Sequence, residues 1–278
     1  MTYNRVLVLI RDEATAVEDA EFGIALAEQL DAAVHHLRVV ETQSSRLSLG
    51  SDSPAVTTEQ AVPPEVKELV AETAVDSETH TIEGPIPEQV QRYATEQAID
   101  LIVIGSQTND GAFDSLVDSV VQAGDIPVLA VPDGARQFQC GQLVVPNLAG
   151  VPSEAATEHA VEVAGTHGMT VNVVTVIDLQ RAAGPFNAGG VTEEFIEHKE
   201  RELRSAVEDA VDLDSELTFE TRTASGRPAE VVSEYVADAG VDALVVGHDG
   251  APPLVGRLRT TGAGRIRRTI DVPALVVP

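Results

Sequence analysis

Residues 84–105 read GPIPEQVQRYATEQAIDLIVIG, and residues 226–247 read GRPAEVVSEYVADAGVDALVVG. The two stretches align without a gap. In each one, a helix-like pattern leads into four apolar residues and a glycine, which is typical of a helix followed by a buried parallel strand. An internal repeat of this length predicts two copies of one fold. Seven pairs are identical: Gly84/Gly226, Glu88/Glu230, Val90/Val232, Tyr93/Tyr235, Asp100/Asp242, Val103/Val245 and Gly105/Gly247.

The same periodicity extends outward from the repeat. Strand and helix patterns alternate in both halves, and each half ends alike, in IPVLAVP at 126–132 and in VPALVVP at 272–278. Thr15 with Glu18 predicts a capping box at the first helix. Strands are predicted near Val6–Ile10, Ala33–Val40, Thr79–Ile82, Leu101–Ile104, Val128–Val131, Gln142–Val145, Thr170–Ile177, Thr218–Thr223, Ala243–Val246 and Ala274–Val277. Helices are predicted from Thr15 through Ala27 and near Pro64–Ala74, Pro87–Gln97, Ser115–Gln122, Ser153–His167, Glu193–Asp212, Pro228–Ala239 and Thr260–Thr269.

Strands joined by helical crossovers predict an α/β fold with parallel sheets covered on both faces. The 278 residues suit two domains, since domains cluster at about 100–150 residues. We therefore predict two tandem, doubly wound, five-stranded parallel-sheet domains at residues 1–134 and 140–278. The linker Asp133–Gln139 is short, and the terminal strands would leave exposed sheet edges. A pseudo-twofold pair within the chain is therefore expected, with a homodimer as a further possibility. Two segments, Glu41–Val62 and Leu179–Val191, are predicted to be loops.

The composition limits the classes of partner. The formal net charge is −27, and only two basic residues are lysines. This resembles the cytosolic proteins of salt-loving organisms, in which salt screens the repulsion between carboxylates; an ordinary acidic protein is the alternative. Such a charge disfavours nucleic acids and anionic membranes as partners. The single cysteine, Cys140, excludes an intrachain disulfide, and neither a signal peptide nor an apolar run of membrane-spanning length is seen. We expect a cytoplasmic protein.

One loop carries the pattern of a phosphate site. Ligands in open α/β sheets bind beyond the carboxyl ends of the strands. The fourth strand of the second half is followed by Gly247-His248-Asp249-Gly250, nine residues and Thr260-Thr261. Closely spaced glycines let backbone N–H groups approach phosphate, and hydroxyls at a helix start can bind the same anion.

These motifs resemble the universal stress protein family, one of the HUP-like folds. The family has Gly, two residues, Gly, nine residues and Gly-Ser/Thr at this place, followed by a Pro-Val-x-Val strand. Gly247, Gly250 and Thr261 match the pattern, whereas Thr260 replaces a glycine. The resemblance implies that the protein binds ATP, either with or without Mg²⁺. It also implies a role in a stress response. The residues that would line the nucleotide are Pro146, Val176, Val246, Gly247, His248, Gly250, Thr260 and Thr261.

Other positions depart from the family. Its adenosine-binding Asp at the end of the first strand is replaced by Arg11 in the first half and by Leu148 in the second. For Pro146, Val176 and Val246, ordinary packing at strand ends is an equal alternative to nucleotide contact.

The first half departs further. Pro127 comes only 22 positions after Gly105, whereas Pro273 comes 26 positions after Gly247. Thr108 stands where the second half has Gly250. Asp114-Ser115 stands where the family has Gly-Ser, so a carboxylate would repel a triphosphate. We predict that the first half is degenerate and the second half holds the working site. Five arginines near the second loop favour phosphate, although a solvated helix face or a protein interface remains open: Arg257, Arg259, Arg265, Arg267 and Arg268.

No catalytic or metal-ligating constellation is found in the sequence. The histidines, including the pair His35-His36, lack metal-ligand spacing with acids or Cys140. No P-loop and no nucleophile elbow occurs. Two hypotheses follow. The first is an adenine-nucleotide-binding stress protein, either non-catalytic or a slow ATPase. The second is a degenerate, ligand-free scaffold that regulates a protein partner.

Overall fold

A computed structural model of the chain describes residues 2–11, 13–41, 62–105, 111–133, 141–147, 154–178, 217–224, 228–248 and 272–278, with isolated residues 194, 197, 198, 201 and 205. The chain divides into two compact units, Tyr3–Gln137 and Phe138–Pro278. Each unit is an α/β domain with a parallel sheet, as predicted. No helix in the described ranges is long and apolar enough to cross a membrane.

The first unit alternates strands and helices along its whole described length. Its sheet has the order β3–β2–β1–β4–β5, and all neighbouring strands run parallel. The first strand is therefore central, with β2 on one side and β4 on the other. The elements are β1 (Arg5–Ile10), α1 (Ala16–Leu30), β2 (Ala33–Val40), α2 (Pro64–Glu72), β3 (Ser77–Glu83), α3 (Ile86–Glu96), β4 (Leu101–Gly105), α4 (Gly111–Gln122) and β5 (Val128–Val131).

The second unit repeats this topology. Its sheet has the order β10–β9–β6–β7–β8, again with parallel neighbours throughout. The central strand β6 takes the place of β1. The elements are β6 (Gln142–Asn147), α5 (Glu154–His167), β7 (Thr170–Asp178), β8 (Leu217–Ala224), α6 (Pro228–Ala239), β9 (Ala243–Gly247) and β10 (Ala274–Val277).

The central strands form the floor of each core. Residues 6–10 of β1 are at most 1% exposed, which agrees with a strand covered on both faces. Helix α1 lies close to this strand, because a Cβ atom at Gly23 would collide with the Val8 side chain. In the second unit, Val144, Val174 and Leu244 belong to one buried cluster with Tyr235 of α6.

The repeated aspartates hold the same backbone contact in both units. The Asp100 carboxylate accepts hydrogen bonds from the Asn4 and Arg5 N–H groups, at 2.8 and 3.1 Å. The Asp242 carboxylate accepts one from the Gln142 N–H at 2.7 Å. Asp100 directly precedes β4 and Asp242 directly precedes β9. Each aspartate therefore holds the start of the central strand of its unit beside the strand that it precedes.

Some local predictions need correction. Thr15 is the residue before α1, but its side chain does not cap the helix. Its hydroxyl instead donates to the Asp19 carboxylate at 3.1 Å, so the predicted capping box with Glu18 is wrong. The predicted helix Thr260–Thr269, the linker and most of both loops lie outside the described residues, as does most of Glu193–Asp212.

Candidate functional site

The second unit brings the carboxyl ends of three neighbouring strands together. The strand order reverses at β6, which pairs with β9 on one side and β7 on the other. A crevice at such a switch point is the usual ligand site of an open α/β sheet. Pro146, Val176 and Val246 lie near the ends of these three strands, and Gly247 with His248 continues from β9.

Burial separates these residues into two groups. Val176 and Val246 are only 3% and 5% exposed, and Val176 belongs to the core cluster of the unit. Both valines therefore support the floor of the crevice. Pro146, Gly247 and His248 are half-buried, so they form the accessible part of the described surface at these strand ends.

The backbone of His248 is already engaged. Its N–H donates to the Val277 carbonyl at 2.6 Å, which extends the pairing of β9 with β10. The glycine-rich pattern suggests that N–H groups near this position bind phosphate. The His248 N–H is not free to do so. The half-buried imidazole is the part of His248 that a ligand can meet.

Several predicted residues cannot be placed. Gly250, Thr260 and Thr261 lie outside the described residues, and so do Leu148 and the five arginines between Arg257 and Arg268. Their part in the site stays a prediction from the sequence.

At the equivalent strand ends of the first unit, two charged side chains lie beside Gly105. Arg11, just beyond β1, donates from Nη1 to the Gly105 carbonyl at 3.3 Å, across the switch point between β1 and β4. The Asp19 carboxylate lies against Gly105, where an added Cβ atom would collide with it. A carboxylate at the end of β4 opposes an incoming phosphate by like-charge repulsion.

Sequence reasoning missed Asp19. It placed the repelling charge on Asp114, which is 5% exposed in the first turn of α4. The signal was available in the register: Gln142 corresponds to Arg5 and Thr170 to Ala33, and the same spacing makes Ala156 of α5 the counterpart of Asp19. A carboxylate in one unit thus corresponds to a buried methyl group in the other.

Comparisons with known proteins agree over both units. The family model described as "Universal stress protein family" matches residues 2–132 and again residues 143–278. A universal stress protein from Archaeoglobus fulgidus DSM 4304 is similar in structure, with a TM-score of 0.61 and 13% identity over 99% of this chain and 96% of that one. A protein of unknown function from Pseudomonas aeruginosa PAO1 has a TM-score of 0.60 and 16% identity, over 99% and 92% of the two chains. Among curated proteins, none matches this chain.

Proposed function

Because this chain belongs to the universal stress protein family, with one family domain in each half, we propose that it binds an adenine nucleotide, ATP with or without Mg²⁺, in its second half. Binding at the β6–β9 crevice would stabilise one conformation of the loop that follows Gly247. The protein would act in a stress response through its bound and free states, with slow hydrolysis at most. The cytoplasm is the proposed compartment.

The difference between the two crevices carries this proposal. In the first unit, Asp19 and Arg11 occupy the ends of α1 and β1 beside Gly105. In the second unit, the loop after Gly247 is four residues longer, at 26 against 22 residues to the following proline. A longer loop with Gly250 leaves backbone N–H groups that phosphate can approach.

The ligand-free scaffold remains the second candidate. It is favoured by the missing aspartate at the end of the first strand in both halves, where Arg11 and Leu148 stand. The engaged N–H of His248 also removes one donor. In this case the crevices would be remnants, and the protein would act only through a protein partner.

Calorimetric titration of Mg-ATP into the full chain at high salt separates the candidates. Gly250→Asp places a side chain and a negative charge where phosphate must approach, so affinity should fall by at least about tenfold, which corresponds to about 1.4 kcal/mol. Thr108→Asp is the matched control, because Thr108 holds the same loop position in the first half. It should leave affinity within about twofold of the wild type.

Circular dichroism checks that each variant is folded. Equal losses from both variants would mean a site in each half and would contradict the asymmetry. No binding by folded wild type at millimolar ATP would reject the nucleotide proposal and leave the scaffold.

A further inference from the structure

A second group of polar side chains lies away from the carboxyl ends of the strands. His35 on β2 pairs in register with Glu78 on β3, and His80 lies two residues further along β3. Side chains two residues apart on a strand share one face. The pairing thus brings the His35 imidazole to Glu78 and His80, which lie more than 40 residues later in the sequence.

The three side chains meet at close range. One ligand atom from each of His35, Glu78 and His80 lies within 4.8 Å of the other two. His80 Nε2 and Glu78 Oε2 are 2.9 Å apart. Two ligands of a tetrahedral Zn²⁺ ion are about 3.3 Å apart when their bonds are about 2.0–2.1 Å. The Glu78–His80 spacing is therefore close to that of two ligands of one cation, and His35 offers a third ligand atom within 4.8 Å of both.

The surroundings suit a metal ligand. The His35 ring stacks on the His80 ring at 6.0 Å, with 19° between their planes. The His35 side chain is buried, and the residue is 7% exposed. Glu78 and His80 have side chains that are 58% and 38% exposed, so a cation can enter from solvent at the edge strand.

Tyr93 on α3 supplies the supporting contact. Its hydroxyl oxygen is 2.9 Å from His35 Nδ1. When His35 Nδ1–H donates to this oxygen, the ring is held in one orientation and Nε2 keeps the lone pair that a cation needs. Hydrogen bonds of this kind fix ligand histidines in metal sites.

We propose that His35, Glu78 and His80 form a binding site for Zn²⁺ or a similar late first-row divalent cation. Two imidazoles and one carboxylate are a known zinc ligand set, which leaves a fourth position for water or another ligand. Imidazole ligands favour these cations over Mg²⁺ and Ca²⁺. The net charge of −27 raises the local concentration of cations.

The second unit provides an internal comparison. In the same sheet positions, Asn172 takes the place of His35, and Thr218 and Glu220 take the places of Glu78 and His80. Tyr235 is identical to Tyr93 in the repeat. With no imidazole at these positions, the second unit should not bind such a cation there, so we expect one ion per chain.

The test titrates ZnCl₂ into the chelator-stripped full chain in molar KCl, which suppresses weak binding to surface carboxylates. Isothermal calorimetry should give one ion per chain, and Co²⁺ should give the visible absorption of a tetrahedral site. His80→Asn and Glu78→Gln should each reduce affinity by more than the 10–100-fold typical of residues that only orient a ligand. Both side chains are partly exposed, so these variants should stay folded where a change at buried His35 would risk unfolding.

Two further variants make the result specific. Tyr93→Phe should keep the stoichiometry but weaken Zn²⁺ by about 10-fold or more, with a changed Co²⁺ spectrum. His198→Asn is the control, because this histidine is exposed and lies outside the cluster, and it should leave affinity unchanged. The proposal fails if the folded wild type does not bind Zn²⁺, if His80→Asn and Glu78→Gln bind like the wild type, or if His198→Asn loses as much affinity as they do.

Discussion

Asp100 and Asp242 show what the identical residues of the repeat do. Each accepts backbone N–H groups at the start of the central strand of its unit. Val90 and Val232 are both fully buried, and Tyr93 and Tyr235 are 6% and 7% exposed. These shared residues maintain the framework. The chemical differences between the halves lie instead at positions that are not identical, such as Asp19 against Ala156 and His35 against Asn172.

A buried histidine on α5 predicts a dependence of stability on pH. His159 is 7% exposed, and burial lowers its pKa below the ordinary value of 6.5. The folded state therefore favours the neutral ring, whereas the unfolded chain takes up a proton near pH 6.5. The stabilisation is fully present above pH 6.5 and is lost as the pH falls from there through the folded pKa.

The measurement compares the wild type with His159→Leu, which cannot be protonated at this position. Below pH 6.5, the free energy of unfolding of the wild type should fall relative to the variant, with a slope approaching about 1.4 kcal/mol per pH unit. Urea titrations between about pH 7 and pH 5.5 in molar KCl provide both curves. Parallel curves would show that His159 has the same pKa in both states.

At the scale of elements, most bounds of the helices and strands could be predicted, because the buried positions follow from the pattern of apolar residues along each segment. The strands Ala33–Val40, Val128–Val131 and Ala274–Val277 match their predicted bounds. Helix α2 ends at Glu72, two residues before its predicted end. Thr73 adopts an extended conformation there, and its hydroxyl accepts the Val75 N–H at 3.2 Å. Such local competition between side chain and helix is not visible in apolar periodicity.

The contact between α1 and β1 gives a prediction for a single methyl group. Gly23→Ala would raise intrinsic helix propensity by about 0.8–1.0 kcal/mol, but its Cβ atom would overlap the buried side chain of Val8. Overpacking of this kind costs about 1–3 kcal/mol. We expect the overlap to dominate and thermal unfolding to shift to lower temperature.

Glu21→Ala on the exposed side of the same helix is the control, and it should change stability little. A more stable Gly23→Ala protein would mean that α1 can move away from β1 without loss.

At the scale of the whole molecule, the sequence predicted the strand ends that form the candidate site, but not the side chains that lie beside the equivalent strand ends of the first unit. The strand ends at Pro146, Val176 and Val246 follow from topology, which the alternating pattern already contains. The contact of Asp19 with Gly105 and the meeting of His35 with His80 depend on pairing between distant segments. Neither contact produces a recognisable spacing of residues along the sequence. For this reason the sequence analysis did not predict a metal site from the histidines.

The two halves share one framework but differ in the chemistry they expose. The first carries the imidazole and carboxylate cluster and has Asp19 and Arg11 beside Gly105 at its strand ends. The second lacks the imidazoles in the same register and keeps the longer loop after Gly247. If both proposals hold, a chain of this kind would bind a cation through one half and a nucleotide through the other, and each site can be removed without changing the other.

The net charge of −27 predicts that folding depends on salt. Lowering the ionic strength from about 0.15 M to 0.01 M extends the screening length from about 8 Å to about 30 Å. Carboxylates across the surface then repel one another more strongly in the compact folded state than in the expanded unfolded chain, which makes folding less favourable.

Thermal unfolding, followed by circular dichroism with a chelator present, should therefore occur at lower temperature in dilute buffer than in molar KCl. NaCl should substitute for KCl, because screening depends on ionic strength, whereas sucrose should not reproduce the early part of the rise. An equal or higher melting temperature in dilute buffer would contradict adaptation to salt and would favour an ordinary acidic protein whose surface charges are already far enough apart.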